Sequence, residues 1–146
     1  MGTVQKSLRI PDETARAIEQ LGAEGGLDFT TAANQLLEEA VRMRRCPGIV
    51  FTSGPSGRRA TVAGTGLDVW EIIATRNSLG GDARRLRKAY HWLSEPQLRA
   101  AEAYYTLYPQ EIDARLKQNE SWTPTSLRTR HPAVTPQPHA HAQKRR

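Results

Sequence analysis

Gln5, Ser7 and Arg9 stand at every second position near the start of the chain, and most of the residues between and beside them are apolar. Amide, hydroxyl and guanidinium groups are suited to hydrogen bonding with base edges in the DNA major groove. A period of two is typical of a half-buried strand. The pattern therefore predicts a short strand with these polar side chains outward and with Leu8 and Ile10 inward.

Patterns that would indicate catalysis or metal binding are missing from the sequence. It contains no Walker loop and no GxGxxG, HExxH or GxSxG motif. His131, His139 and His141 have no cysteine or acid beside them to complete a metal site. We therefore predict a binding protein that is not an enzyme and that uses no cofactor and no metal.

The net charge of +6 is unevenly distributed along the 146 residues. Residues 1–46 have a net charge of −1, residues 47–90 of +4, residues 91–120 of −2 and residues 121–146 of +5. A basic excess suits a polyanionic partner such as nucleic acid. Here the excess lies in a middle block and a tail, which predicts two kinds of partner.

Three further features bear on localisation. No apolar run approaches the roughly 18–20 residues that span a bilayer, and the first residues lack the apolar core of a secretory signal. The lone Cys46 allows no disulfide within the chain, which fits a reducing compartment. We therefore expect a soluble cytoplasmic protein without a membrane partner.

The chain reads as mostly helical. Pro11 begins a first helix that Gly25-Gly26 ends, and Asp28 caps a second helix that runs to about Arg45. Residues 49–51 and 60–62 are β-prone runs that predict a hairpin. Three helices are predicted around residues 69–79, 82–90 and 94–108, with a short sixth piece at Ile112 and Leu116, and they are separated by Gly80-Gly81, by the Ser94–Gln97 capping box and by Pro109.

The opening strand has no mate within residues 1–46, although its main-chain groups need partners when buried. The simplest partner is the same strand of a second chain, paired antiparallel across a two-fold axis. The two helices that follow would then supply the core beneath a two-stranded ribbon. A ribbon of this kind fits the DNA major groove.

Residues 3–45 resemble the ribbon-helix-helix repressor fold of Arc- and MetJ-type proteins. The resemblance rests on the x-R-[apolar]-P-x-E stretch from Leu8 to Glu13, the turn at Gly26 and the [apolar]-x-x-A-x-x-x-L-L run from Phe29 to Leu37. It implies an intertwined dimer that binds operator DNA. The residues that it assigns to base edges are Gln5, Ser7 and Arg9, and those that it assigns to phosphates through main-chain amides are Phe29 and Thr30.

Two residues depart from the family pattern. Lys6 stands where an apolar ribbon residue is usual, and Asp28 places an acid beside the amides expected to hold a phosphate. An alternative interpretation treats residues 3–45 as a swapped dimerisation arm without a role in DNA binding.

Residues 47–118 resemble a small bacterial domain family of uncharacterised function with helix-turn-helix-like folds and a short β hairpin. The specific stretches are Val62–Thr65 and Tyr90–Tyr105. Members of that family occur as, or fused into, VapB-type antitoxins that pair with a PIN-like ribonuclease toxin. The resemblance thus implies a second domain in this chain that belongs to a toxin–antitoxin pair.

Basic residues of this block are candidates for phosphate contact, with a solvated charged face as the alternative. They are Arg58, Arg59, Arg84, Arg85, Arg87 and Lys88. The aromatic residues Trp70, Trp92, Tyr104, Tyr105 and Tyr108 are interpreted as core or dimer packing and not as base-stacking platforms.

Residues 121–146 contain proline, histidine and basic residues but no acid, so alone they are expected to be disordered. Trp122 and Leu127 offer apolar anchors for a partner protein, and Arg128 and Arg130 could pair with the acids of a PIN-like nuclease. Non-specific attraction to phosphates and a solubilising terminus are the alternatives.

Together these features predict a DNA-binding and dimerisation domain at residues 1–46, a helix-turn-helix-like domain at 47–120 and a basic tail at 121–146. The leading hypothesis is an antitoxin of a type II toxin–antitoxin system that neutralises a PIN-like ribonuclease and represses its own operon. It would act as a homodimer, or as a higher oligomer with toxin. The alternative is a stand-alone dimeric ribbon-helix-helix transcriptional repressor.

Overall fold

Residues 2–120 are described by a computed structural model, and within them the chain forms six helices and one two-stranded antiparallel sheet. The chain divides into two compact units, of which one ends at Gly66 and the other begins at Leu67. No helix of the described part combines the length and the apolar composition needed to cross a bilayer.

The first unit contains two helices followed by a hairpin. Its elements are α1 (Asp12–Glu24), α2 (Phe29–Arg45), β1 (Ile49–Gly54) and β2 (Gly57–Val62). These bounds confirm the predicted helices and hairpin. The turn between α1 and α2 needs Gly26, whose φ of +68° is strained for any residue with a side chain.

The two strands of the hairpin pair antiparallel, with the two predicted β-prone runs opposite each other. Ile49 lies opposite Val62 and Phe51 opposite Ala60. Ile49, Ala60 and Val62 are buried, and β1 packs against α2. The hairpin therefore belongs with the two N-terminal helices, whereas the sequence had placed a domain boundary between residues 46 and 47.

The second unit is entirely helical in the part that the structure describes. It consists of α3 (Val69–Ser78), α4 (Ala83–Ala89), α5 (Glu95–Leu107) and α6 (Pro109–Glu120). Its core is formed by Ile72 and Ile73 of α3 with Ala101 and Tyr104 of α5, all fully buried, together with Ile112 of α6.

Side-chain caps fix where these helices begin. Ser94 Oγ accepts from the N–H of Gln97 at 3.3 Å, while Gln97 Oε1 accepts from the N–H of Ser94 at 2.8 Å, as the capping box predicts. Asp82 accepts from the first amides of α4, and Leu86 turns into the core. Ala89, at the end of the same helix, is exposed.

Candidate nucleic-acid interface

The N-terminal segment, residues 2–11, forms no strand ladder with any residue between 12 and 120. Gln5, Ser7 and Arg9 are exposed. The neighbouring apolar residues Val4 and Leu8 are also exposed, at 81% and 64%. In a single chain the predicted strand is not formed. This agrees with the prediction that the strand has no mate within residues 1–46, and the polar side chains are accessible along the whole segment.

The start of α2 is the second candidate contact. Phe29 and Thr30 are exposed, and the first amides of any helix lack acceptors within it. One of them, the N–H of Thr31, donates to Asp28 Oδ1 at 2.7 Å. That hydrogen bond lowers the pKa of Asp28, so the cap carries a full negative charge at neutral pH. A phosphate that approaches Phe29 and Thr30 must therefore tolerate this carboxylate.

Both helices of the first unit leave apolar side chains in solvent. The only residue that α1 buries is Gly22, and those of α2 are Ala32 and Glu39. Leu21 is 52% exposed, Leu37 56% and Val41 51%. An amphipathic helix is stable in water when its apolar stripe is covered. The stripes of α1 and α2 are not covered by residues of their own unit.

An ion pair joins the hairpin to α2. Arg58 Nε donates to Glu39 Oε1 and Arg58 Nη2 to Glu39 Oε2, both at 2.8 Å, which is the bidentate arrangement of a strong charge-assisted pair. Arg58 also donates to Ser53 Oγ at 3.0 Å and to the carbonyl oxygen of Phe51 at 3.1 Å. The pairing raises the pKa of Arg58. A phosphate at this position would have to displace Glu39, a residue that the sequence analysis did not single out.

The other hairpin arginine, Arg59, lies half-buried across the turn. A Cβ atom added at Gly54 would lie 2.7 Å from Arg59 Cζ, so the guanidinium occupies the space above that glycine. Arg59 therefore has packing partners in its own unit. Both hairpin arginines are thus engaged within their own unit.

A cleft of about 590 Å³ opens between the two helices and the hairpin turn. Leu21, Leu27 and Leu36 line its apolar side, and the paired Glu39 and Arg58 line its polar side. Among residues 2–120, no group of three His, Cys, Asp or Glu side chains is arranged so that it could hold a metal ion.

The four basic residues of α4 are exposed, but their surroundings differ. Arg85 lies 3.9 Å from Asp82 and Arg87 lies 4.0 Å from Glu95. Arg84 and Lys88 form no ion pair with any residue between 2 and 120. They are four positions apart, on the side of α4 opposite the buried Leu86.

The aromatic residues of the second unit separate into two groups. Tyr104 is fully buried, its hydroxyl 3.0 Å from Glu111 Oε2, and Trp70 is half-buried with its Nε1 donating to Asp68 Oδ2 at 3.1 Å. Trp92 is 61% exposed and therefore lies outside the core of its unit. Packing in the core is therefore wrong for Trp92, which lies in a turn where apolar periodicity gives no guide, while packing against a second copy stays a prediction.

The candidate toxin contacts Trp122, Leu127, Arg128 and Arg130 lie outside the described residues. Of the predicted site residues, the structure places Gln5, Ser7 and Arg9 together on one accessible segment. The α4 cations belong to the other unit.

The chain matches no family model, no curated protein and no solved structure.

Proposed function

We propose that this chain is a dimeric DNA-binding repressor of ribbon-helix-helix type, which acts as the antitoxin of a type II toxin–antitoxin pair. The observation that carries the proposal is the uncovered apolar surface of the first unit. Val4 and Leu8 on the N-terminal segment, and Leu21, Leu37 and Val41 on the helices, are all at least half exposed. A second copy that pairs with the segment would cover both sets at once.

Pairing of the two segments also satisfies their main-chain groups. Residues 2–10 form no ladder with the described remainder of the chain, so their amides and carbonyls are available to an antiparallel partner. Strand periodicity then places Leu8 and Ile10 on the inner face. Gln5, Ser7 and Arg9 lie on the outer face, and the two-fold axis doubles them.

Recognition of DNA then depends on a few placed side chains. The first 46 residues have a net charge of −1, so non-specific attraction to phosphates is weak. Arg9, as a bidentate donor to guanine, is the residue best able to specify a base. It is exposed in the single chain.

The antitoxin role rests on the resemblance of residues 47–118 and on the charge of the tail. Residues 121–146 have a net charge of +5 and contain no acid, which suits the acidic metal-binding cluster of a PIN-like ribonuclease. In this proposal, the first unit binds the operator while the remainder of the chain holds the toxin.

The DNA-binding part is tested with Arg9→Ala and a matched variant, Arg16→Ala. Arg16 is exposed in the same unit, but it lies on α1 in an ion pair with Asp12. Binding to the DNA upstream of the chain's own reading frame is measured by fluorescence anisotropy, with mass measured by sedimentation. We expect Arg9→Ala to lose about 1–3 kcal/mol per guanine contact and to remain a dimer, and Arg16→Ala to bind normally. Unchanged operator affinity in Arg9→Ala would contradict the ribbon assignment.

The antitoxin part is tested by expressing the full chain together with the neighbouring reading frame. Co-purification with a PIN-like product, and relief of the growth arrest that this product causes, are the expected results. Operator binding without any association with the neighbouring product would support the stand-alone repressor instead.

A further inference from the structure

An exposed indole and an exposed pair of cations lie close together in the sequence of the second unit. Arg84 and Lys88 occupy the outward side of α4, and Trp92 follows α4 in the turn that leads to α5. Lys88 and Trp92 are four residues apart, so their Cα atoms are at most about 14 Å apart. We refer to Arg84, Lys88 and Trp92 as the α4–Trp92 surface.

The indole of Trp92 is held in place without being covered by a stacked ring. The ring of Tyr90 lies 5.4 Å away at an interplanar angle of 74°, and that of His91 lies 5.2 Å away at 88°. Tyr90 is in turn anchored to α3, because its hydroxyl lies 2.9 Å from Thr75 Oγ1. With 61% of the residue exposed, Trp92 is a supported aromatic side chain that is largely accessible to solvent.

The charge of α4, the helix that precedes Trp92 in the chain, is positive and partly unneutralised. Arg85 and Arg87 have the carboxylates of Asp82 and Glu95 at 3.9 and 4.0 Å. Arg84 and Lys88 form no ion pair with any residue in the described part of the chain. Their charges are therefore available to an anionic ligand.

We propose that the α4–Trp92 surface binds single-stranded nucleic acid, with an unpaired base stacked on Trp92 and the adjoining phosphates on Arg84 and Lys88. Aromatic platforms beside basic grooves bind single strands in this way, and they tolerate any sequence because every base has a π-face. A duplex keeps its bases stacked inside and cannot offer one to the indole. An acidic protein would use the two cations but would leave the indole without a flat aromatic partner.

The test uses the full chain and labelled oligonucleotides of thymidine and of uridine, about 12 residues long, over a series of salt concentrations. Trp92→Ala should weaken binding about 5- to 140-fold, the range that corresponds to loss of one stacked base. In Trp92→Ala the slope of log affinity against log salt should stay the same as in the parent chain, because this substitution removes no cation. Comparing the two oligonucleotides shows whether DNA or RNA is preferred.

Unlike Trp92→Ala, the double variant Arg84→Gln/Lys88→Gln should change the salt dependence of binding. The slope of log affinity against log salt should become shallower by about 1.4, the value for two lost phosphate contacts on a single strand. Trp92→Phe should retain most of the affinity, since phenylalanine also stacks. Leu107→Ala, an exposed apolar residue of the same unit at 49% exposure, should leave binding unchanged.

Two controls separate this inference from the proposed operator binding. Arg9→Ala should leave single-strand affinity intact, and a duplex of random sequence should show no dependence on Trp92. Thermal unfolding should be unaltered in Trp92→Phe. The inference is overturned if Trp92→Ala binds both oligonucleotides as tightly as the parent chain. It is also overturned if polyglutamate competes as well as the oligonucleotides do.

Discussion

Removal of the Arg58 guanidinium should detach the hairpin from α2 and destabilise the first unit. Glu39 is 8% exposed, and the Arg58 side chain is 35% exposed. Breaking a fully buried pair costs about 3–5 kcal/mol, because the remaining charge stays uncompensated. Exposed pairs contribute about 0.2–1 kcal/mol. This pair lies between the two, so Arg58→Met should lower the free energy of unfolding by about 1.5–3 kcal/mol.

The assay is urea unfolding of the full chain at one fixed protomer concentration, followed by circular dichroism, with amide hydrogen exchange as the local measurement. Exchange should accelerate at the hairpin amides, residues 49–54 and 57–62, before the rest of the unit unfolds. Arg16→Met is the matched control, since its pair with Asp12 has both side chains more than three-quarters exposed. It should cost less than about 0.5 kcal/mol.

A double-mutant cycle separates the pair from the general effect of substitution. Glu39→Leu/Arg58→Met places two apolar side chains in the same space and should recover to within about 1 kcal/mol of the parent chain. If Arg58→Met is as stable as Arg16→Met, or if hairpin exchange is unchanged, then the ion pair does not hold the hairpin on α2.

Four further predictions follow from the first unit. Asp28→Asn keeps a cap for α2 but removes a charge next to Phe29 and Thr30, so operator affinity at low salt should rise roughly fivefold per protomer. Because the pKa of Asp28 is lowered in the fold, its contribution to stability should be present above its ordinary value of 3.8 and lost as pH falls through the lowered value; urea unfolding between pH 5 and 2 measures this. Burial leaves Cys46 1% exposed and raises the pKa of its thiol, so it should react with Ellman's reagent at least about tenfold more slowly than in urea. Leu37→Glu, at a 56% exposed position, should fold as a monomer but fail to dimerise, as sedimentation at micromolar concentration would reveal.

Local signals were sufficient to predict most of the elements. Asp28, Asp82 and Ser94 each cap the helix that they were expected to begin, because a cap is a contact between residues two or three apart. The hairpin, though not its register, was predicted from two β-prone runs and the turn residues between them. These interactions are local in the chain, so the sequence alone indicates them.

Contacts between distant residues were not predictable in the same way. Arg58 and Glu39 are 19 residues apart, and no periodic pattern connects a hairpin cation with a helix acid. The predicted boundary after residue 46 followed a change in composition, whereas the hairpin in fact packs on α2. Core or dimer packing is predicted for Trp92 because of its residue type. Its exposure in the single chain depends on the path of the turn after α4, which residue type does not indicate.

In the proposed dimer, residues 4–10 of two copies pair as an antiparallel ribbon. The most direct measurement is isotope-filtered NMR on a dimer that contains one isotope-labelled and one unlabelled protomer. We expect main-chain contacts between protomers throughout residues 4–10, since opposed Cα atoms in such a ladder lie about 4.5–5.5 Å apart. A dimer without any contact between protomers in this segment would contradict it.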